Sequence, residues 1–310
     1  MYYPVIFEPI YKQLIWGGER LRELFGRTLP FDSVGESWDI SCRPGNVGIV
    51  RNGKLKGMSF AQLIEKDPEG FLGKVHCEKQ DFPLLIKLID ANADLSVQVH
   101  PPGEKNEVWY IIHADEGAKL NAGLIEGTSK EDFVAAIGSK EVERYLNFVP
   151  VKAGDVINIP TGTVHAICSG LVLAEIQQNS DTTYRVYDYG RVDALGNLRQ
   201  LHIEESIESI NFDASCKLIE GETRKIQGST VIFFCKTEHY ALYEYIIEAS
   251  YVEHSDPDKF FVFTCIGGSC EIISSVATTE VTAGDSVFIP AGMGKYEIRG
   301  SCRLLKSFAP

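Results

Sequence analysis

One stretch of alternating residues decides the fold of this chain: Leu95-Ser96-Val97-Gln98-Val99-His100-Pro101-Pro102. In a β-strand successive side chains point to opposite faces of the sheet, so Ser96, Gln98 and His100 share one face. The two valines between them pack behind that face. A polar row backed by an apolar row suits the interior of a small β-barrel.

A turn follows this strand and leads into a second strand. Residues 101–106 contain two prolines and a glycine, and residues 107–112 are mostly apolar, which predicts a turn and a returning strand. Glu107 and Lys105 then share a face from which they can reach across to His100. Imidazole and carboxylate are good ligands for a divalent ion, so we expect half of a metal site here.

A later segment supplies another histidine. Residues 154–165 read as a glycine, five residues, Pro-x-Gly, two residues and His165. This spacing resembles the second sequence motif of the cupin superfamily, whose histidine completes a metal site inside a small antiparallel β-barrel. Gln98 stands where the first cupin motif usually has a further histidine.

The Gln-x-His-Pro form of the first motif limits this resemblance to one family within the superfamily. Together with Glu107-x-Trp-Tyr and residues 184–193, it is similar to the type I mannose-6-phosphate isomerases in their short bacterial and archaeal form. The similarity runs from Trp16 to Arg191 and weakens after about His202.

A repeat within the chain indicates a second barrel. Residues 284–295 repeat the pattern of residues 154–165, with Lys295 in the place of His165. With the resemblance, this predicts a mainly β protein made of two cupin (jelly-roll, or double-stranded β-helix) barrels with short helical decorations.

We expect the boundary between two domains near residue 215. A catalytic cupin domain would cover residues 1–215, with an N-terminal extension and a short helical insertion near 129–148. A metal-free, cupin-like domain would cover residues 216–310.

Local patterns predict the other elements. A capped helix is expected over residues 59–64 and two short helices within 129–148. Strands are expected over residues 149–159, 171–178 and 182–189. On the last strand Arg185, Tyr187 and Tyr189 would share a face, and the same alternation would add Arg191.

Composition limits the partners and the compartment. The 310 residues contain 30 Lys and Arg against 43 Asp and Glu, a net charge of −13, which argues against nucleic acid. No signal peptide and no membrane-spanning run is evident, so we expect a cytoplasmic protein with no membrane partner. Eight cysteines without Cys-x-x-Cys spacing predict reduced thiols. The oligomeric state stays open.

The resemblance also implies a metal site and an arginine. The ligands would be Gln98, His100, Glu107 and His165, with one Zn²⁺ as the leading metal and iron or manganese as alternatives. Arg191 matches the active-site arginine of the family, which would stabilise an enediolate or contact the phosphate.

Five further residues are candidates for the site. By resemblance, Lys105 matches a lysine proposed to move protons, and Lys87 matches one proposed to assist ring opening; which lysine is the base stays open. Ser96 matches a serine implicated in the substrate site. Trp16 and Glu36 are further candidates for substrate binding, and Trp16 would equally suit packing in the core or at its rim. Lys87 has a second interpretation, as a lysine at a strand edge whose ammonium reaches solvent.

Three functions compete. The first is the metal-dependent interconversion of mannose 6-phosphate and fructose 6-phosphate through a cis-enediolate. The second is a non-catalytic sugar-phosphate-binding protein, against which Lys87, Lys105 and Arg191 argue together. The third is an iron dioxygenase, against which Gln98 counts, because cupin dioxygenases commonly use three histidines and a glutamate. The fold cannot choose among them, since one fold hosts many chemistries.

Overall fold

The computed structural model describes residues 2–192, 195–214 and 216–310. The described chain is mainly β, as predicted. Its α-helices are α1 (Arg20–Phe25), α2 (Phe60–Lys66), α3 (Pro68–Leu72), α4 (Lys130–Ser139) and α5 (Ile203–Ser209). Its strands are β1 (Val5–Ile6), β2 (Ile10–Lys12), β3 (Glu36–Ile40), β4 (Cys42–Arg43), β5 (Asn46–Val47), β6 (Leu84–Ala91), β7 (Val97–Val99), β8 (Glu107–Ala114), β9 (Lys119–Leu124), β10 (Leu146–Pro150), β11 (Val156–Ile159), β12 (His165–Ile167), β13 (Leu171–Gln178), β14 (Tyr184–Tyr187), β15 (Glu222–Ile226), β16 (Ser229–Lys236), β17 (Ala241–Ile247), β18 (Ser250–His254), β19 (Phe261–Ser274), β20 (Thr278–Thr282), β21 (Ser286–Ile289) and β22 (Lys295–Phe308).

Two antiparallel sheets face each other in the N-terminal part. One has the strand order β11-β8-β13-β6-β3-β2 and the other β10-β9-β12-β7-β14. Trp109 and Leu173 of the first sheet pack with Leu120 and Ile167 of the second in one buried core. The inner faces of β7, β8 and β12 therefore meet between the sheets, where the motifs predict the metal site.

A single nine-stranded sheet forms the C-terminal part. Its two longest strands, β19 and β22, pair along most of their length. Side chains from one face of most of its strands form a single core that includes Phe263, Val287 and Ile298, so the sheet curls around that core.

The N-terminal strand joins this C-terminal sheet. In β1, Val5 pairs with Phe288 of β21. The expected boundary residue Ser215 lies outside the described residues, and the division into two domains stays a prediction. The pairing of β1 shows that the start of the chain contributes to the second sheet.

The two parts share a core and a polar contact behind β8. The Tyr110 hydroxyl donates to Glu244 Oε2 at 3.0 Å, and Arg303 Nη2 donates to the Tyr110 oxygen at 2.8 Å. Arg303 Nε donates to the other oxygen of Glu244 at 2.8 Å. Alternation along β8 directs Tyr110 away from the face that carries Glu107, so the C-terminal sheet holds this strand from behind.

The predicted helices are partly confirmed. Ser59 caps α2, with a reciprocal capping box to Gln62. Ser129 caps α4 by accepting from the Asp132 N–H. The second helix predicted within 129–148 is wrong: residues 142–145 form a short 3₁₀ turn and residues 146–148 belong to β10. No described side chain caps that turn. Ser139, the residue expected to begin the second helix, is instead the last residue of α4.

Two predicted strands are shorter than expected. The strand over 149–159 is wrong as one element, because a turn at residues 151–155, with Gly154 at φ +93°, separates β10 from β11. Only residues 184–187 of the predicted strand 182–189 are extended. A bulge after Arg185 and a left-handed Tyr189, with φ +58°, end its alternation.

In the described part of the chain, no helix combines the length and the apolar character that crossing a membrane requires.

Candidate active site

Three predicted metal ligands converge between the two N-terminal sheets. His165 lies directly opposite Gln98 in neighbouring strands, and β8 brings Glu107 from the facing sheet. His100 Nε2 lies 3.5 Å from Glu107 Oε2, and His165 Nε2 lies 3.3 Å from Glu107 Oε1. Among the described residues, this is the one group of three or more His, Cys, Asp or Glu whose ligand atoms all lie within 4.8 Å of one another.

Backbone carbonyls orient both imidazoles. His100 Nδ1 lies 2.9 Å from the Thr182 carbonyl oxygen, and His165 Nδ1 lies 2.9 Å from that of Thr163. A ring nitrogen so placed carries the proton and donates, which leaves the Nε2 lone pair of each ring facing Glu107. Burial lowers the pKa of His100 to about 3 and also lowers the pKa of His165, so both rings are neutral at physiological pH.

The Glu107 carboxylate fits a cation. Burial favours a higher pKa for Glu107, but Lys105 and then His100 lower that pKa well below its usual range, so the group is ionised. Its buried Oε1 has no hydrogen-bond donor among the described residues, and its neighbour His165 Nε2 is itself an acceptor. Acceptors that converge in a buried site need a cation between them, so the donor set fits a divalent metal.

Gln98 completes the predicted set of four. Its amide nitrogen lies 3.2 Å from His165 Nε2. A rotation of the amide by 180° exchanges nitrogen and oxygen, which would present the oxygen to the same point. The structure therefore brings all four predicted ligands together, and their roles as ligands stay predictions.

A cavity of about 320 Å³ opens beside these residues. Most of the other predicted site residues line it, namely Trp16, Glu36, Lys87, Ser96 and Lys105. Their roles in catalysis and substrate binding stay predictions. The shared position of these residues around one cavity is compatible with those roles.

Lys87 is buried in the middle of the sheet. Its strand β6 lies between β13 and β3, so the interpretation as a lysine at a strand edge is wrong. Lys87 Nζ lies 3.1 Å from Glu175 Oε1 and 3.5 Å from Glu36 Oε2. Burial favours a lower pKa for Lys87, but Glu175 and then Glu36 raise it above its usual value, so the amine is charged.

Lys105 is also buried, although it lies in a turn. Its Nζ donates to His100 Nε2 at 3.0 Å and to Glu107 Oε2 at 2.9 Å. The short turn over residues 101–106 thus places an ammonium within hydrogen-bond distance of two predicted ligands, His100 and Glu107.

Glu175 lines the cavity and was missed by the sequence analysis. In β13 it lies opposite Lys87, and Trp109 Nε1 donates to its Oε2 at 3.1 Å. Burial, and then Glu107, raise the pKa of Glu175, so this carboxyl can hold a proton nearer to neutral pH. A single charged residue within an otherwise apolar strand, 171–176, was the available signal.

Two arginines that line the cavity, Arg185 and Arg199, were also missed. Arg185 Nε donates to Ser96 Oγ at 3.2 Å. The predicted Arg191 instead donates to the Asp94 carbonyl and to Asp188 and lines a neighbouring cavity. The alternation that was expected to place Arg191 beside Arg185 is wrong, because the bulge and the left-handed Tyr189 turn the chain.

Comparisons with known proteins identify the family of this chain. The family model described as phosphomannose isomerase type I, catalytic domain, matches residues 5–123, and that of the mannose-6-phosphate isomerase cupin domain matches residues 230–309. A probable mannose-6-phosphate isomerase of Bacillus subtilis is 36% identical over 321 aligned residues, which cover 99% of each chain. The chain belongs to the type I phosphomannose isomerase family.

Other members of the family are similar over their whole length. The mannose-6-phosphate isomerase of Streptococcus mutans is 34% identical over 98% of both chains. A crystal structure of the mannose 6-phosphate isomerase from Bacillus subtilis has a TM-score of 0.90 at 34% identity, covering 98% of this chain and 99% of that one. These matches confirm the family and the mainly β cupin fold.

We predict that His100→Ala lowers metal affinity more than about 100-fold, since even residues that only orient ligands contribute about 10–100-fold. The measurement is bound metal per chain after dialysis against zinc. His113→Ala is the matched control. His113 lies on β8, the strand that carries Glu107, but its side chain is 37% exposed. Equal metal content in the two variants would contradict the site.

Proposed function

We propose that this protein interconverts mannose 6-phosphate and fructose 6-phosphate with a divalent metal held by Gln98, His100, Glu107 and His165. The observation that carries the proposal is the convergence of two imidazole nitrogens on the buried Glu107 carboxylate, whose Oε1 has no donor among the described residues. The adjoining cavity has the size of a small-molecule site, and the relatives are named for this reaction.

Zinc is the metal we propose. The set contains nitrogen and oxygen ligands and no thiolate, which suits zinc first and iron or manganese next. When bound, such an ion supplies Lewis-acid stabilisation of negative charge on the substrate oxygens.

We propose that three buried side chains move the protons of the isomerisation. The reaction takes a proton from the carbon next to the carbonyl and returns one to the neighbouring carbon, through a cis-enediolate. Glu175 Oε1 lies 3.1 Å from Lys87 Nζ and 4.0 Å from Lys105 Nζ, so the three groups form a continuous row. A carboxyl with a raised pKa suits a general base, which makes Glu175 our candidate for the carbon-bound proton.

The partner and compartment follow from the same proposal. The substrate is a small sugar phosphate, which must be met by local positive charge in a chain of net charge −13. The eight free cysteines fit a reducing compartment such as the cytoplasm, which cell fractionation would check.

We expect the purified protein to convert mannose 6-phosphate to fructose 6-phosphate, to lose this activity on chelation, and to recover it with zinc. Metal content should follow activity at one equivalent per chain. One bound equivalent without turnover would exclude the isomerase and favour a binding role.

We expect Glu175→Gln to lower kcat about 10²–10⁴-fold, the range that general acid–base catalysis contributes, while bound metal stays constant. The substitution keeps the side-chain shape and removes the base. Glu104→Gln, on the exposed part of the turn, makes the same change of charge as a control. A kcat within about threefold of the wild type would exclude Glu175 as the base.

We expect Arg185→Ala to lower kcat/KM about 10–100-fold, as the loss of a hydrogen bond between charged groups does. Arg191→Ala should have the smaller effect, because Arg191 lines the neighbouring cavity. Kinetics of both variants with mannose 6-phosphate test this order. A larger loss for Arg191→Ala would favour the assignment made from the sequence.

A further inference from the structure

The proposed function leaves one cation of the cavity without a role. The side chain of Arg199 lines the substrate cavity and also the neighbouring cavity of about 350 Å³. Within the described residues, it is the one side chain that the two linings share. Arg199 therefore stands between the cavities, with 22% of its side chain exposed.

Asp188 holds the Arg199 guanidinium at two points. Arg199 Nε donates to Asp188 Oδ2 at 2.7 Å, and Nη2 donates to Oδ1. Arg191 Nη2 donates to the same carboxylate. Burial favours a higher pKa for Asp188, but Arg199 and then Arg191 lower it below its usual value, so the carboxylate is ionised.

The backbone next to Arg199 is fixed to β14. Arg185 Nη1 donates to the Gln200 carbonyl at 2.8 Å, and the His202 N–H donates to the Arg185 carbonyl at 2.8 Å. The two guanidiniums of the cavity therefore stand on chain segments that are bonded to each other, and both are held in place before any ligand binds.

Among the described residues, guanidiniums outnumber carboxylates here. Arg191 and Arg199 pair with the one carboxylate of Asp188, while Arg185 bonds to Ser96 and to the Gln200 carbonyl and has no described carboxylate within ion-pair distance. Burial and the other two arginines lower the pKa of Arg185, while Asp188 alone opposes them. Asp181 also lines the cavity, but the three guanidiniums give this side a locally positive character in a chain of net charge −13, which attracts an anion.

The guanidinium of Arg185 lies toward the Ser96 end of β7. Arg185 pairs with Gln98 across β14 and β7, but its Nε donates to Ser96 Oγ at 3.2 Å, and Ser96 precedes Gln98 by two residues, about 6.8 Å along a strand. A hexose 6-phosphate carries its reacting carbons, C1 and C2, at one end and its phosphate at the other. A sugar with C1 and C2 at the metal ligands therefore directs its phosphate toward the arginines.

We propose that Arg199 determines specificity by binding the substrate phosphate together with Arg185, so that the site selects phosphorylated sugars. This inference rests on the proposed function. A guanidinium binds phosphate through two parallel N–H donors. A phosphate monoester carries about 1.5–2 negative charges at neutral pH, so two guanidiniums on one side of a cavity suit it.

The test compares the wild type with Arg199→Ala, Arg199→Lys and Arg224→Ala. Arg224, on β15, is 74% exposed, so its variant controls for the loss of one positive charge. Steady-state kinetics use mannose 6-phosphate. Calorimetry measures the binding of glucitol 6-phosphate, an open-chain hexose phosphate that lacks the carbonyl and so cannot react.

For Arg199→Ala we expect KM and the dissociation constant of glucitol 6-phosphate to rise about 10–100-fold. The value of kcat should stay within about threefold, because phosphate binding is the same in the ground state and the transition state. Lysine should restore part of the affinity as a point charge. Metal content should be constant throughout, and Arg224→Ala should match the wild type.

Two results would overturn the role of Arg199. The first is an unchanged KM and dissociation constant in Arg199→Ala. The second is a joint fall of kcat, metal content and thermal stability that lysine does not restore, which would show a structural role only.

These measurements distinguish a failure of the Arg199 proposal from a failure of the isomerase proposal. Turnover by the wild type with an unchanged KM in Arg199→Ala overturns Arg199 and leaves the isomerase. Weakened binding of glucitol 6-phosphate in that variant, without any turnover by the wild type, supports Arg199 and overturns the isomerase. A wild type that neither turns over mannose 6-phosphate nor binds glucitol 6-phosphate overturns both.

Discussion

Glu107 places an ionised carboxylate in the fully buried space between two sheets. An ionised group in such a place costs several kcal/mol unless partners meet its charge. The Lys105 ammonium contacts one oxygen, while the other faces the lone pair of His165 and has no donor in the described part of the chain. The requirement for a cation at this point explains why β7 and β12 of one sheet, β8 of the other and the turn between β7 and β8 all bring polar side chains to one place.

The strand that carries Glu107 is supported from both sides. Its inner face holds the carboxylate, and its outer face packs against the C-terminal sheet, where Tyr110, Glu244 and Arg303 bond to one another. A metal site needs ligands placed to within a few tenths of an ångström. The C-terminal sheet can thus contribute to the geometry of the site without supplying a ligand, by restricting the movement of β8.

The two ends of the cavity differ in how far their charged side chains are paired. At one end, Lys87 and Lys105 are matched by Glu36, Glu107 and Glu175. At the other end, Arg199 shares Asp188 with Arg191 of the neighbouring cavity, and Arg185 has no described carboxylate within ion-pair distance. The matched end suits proton transfer, since paired groups in a buried site can exchange protons without creating an unpaired charge. The unmatched end suits an anionic ligand.

The sequence by itself determined the four residues that converge between the sheets, the family and the β fold. Alternation in β7 and the spacing of the second motif are local properties, and a local pattern survives folding as long as the strand is regular. The position of Lys87 also followed from its apolar neighbours, although the sequence could not exclude a strand edge.

Only the tertiary structure decided which charged residues share the cavity. Glu175 reaches Lys87 through the pairing of β13 with β6, strands that are more than eighty residues apart in the chain, and strand pairing cannot be read from one sequence. Arg191 does not lie beside Arg185 as expected, because a bulge and a left-handed Tyr189 interrupt the alternation between them. A two-residue period predicts which face a side chain points to only while each residue keeps the extended backbone. The contacts of the folded chain decide where that backbone is interrupted.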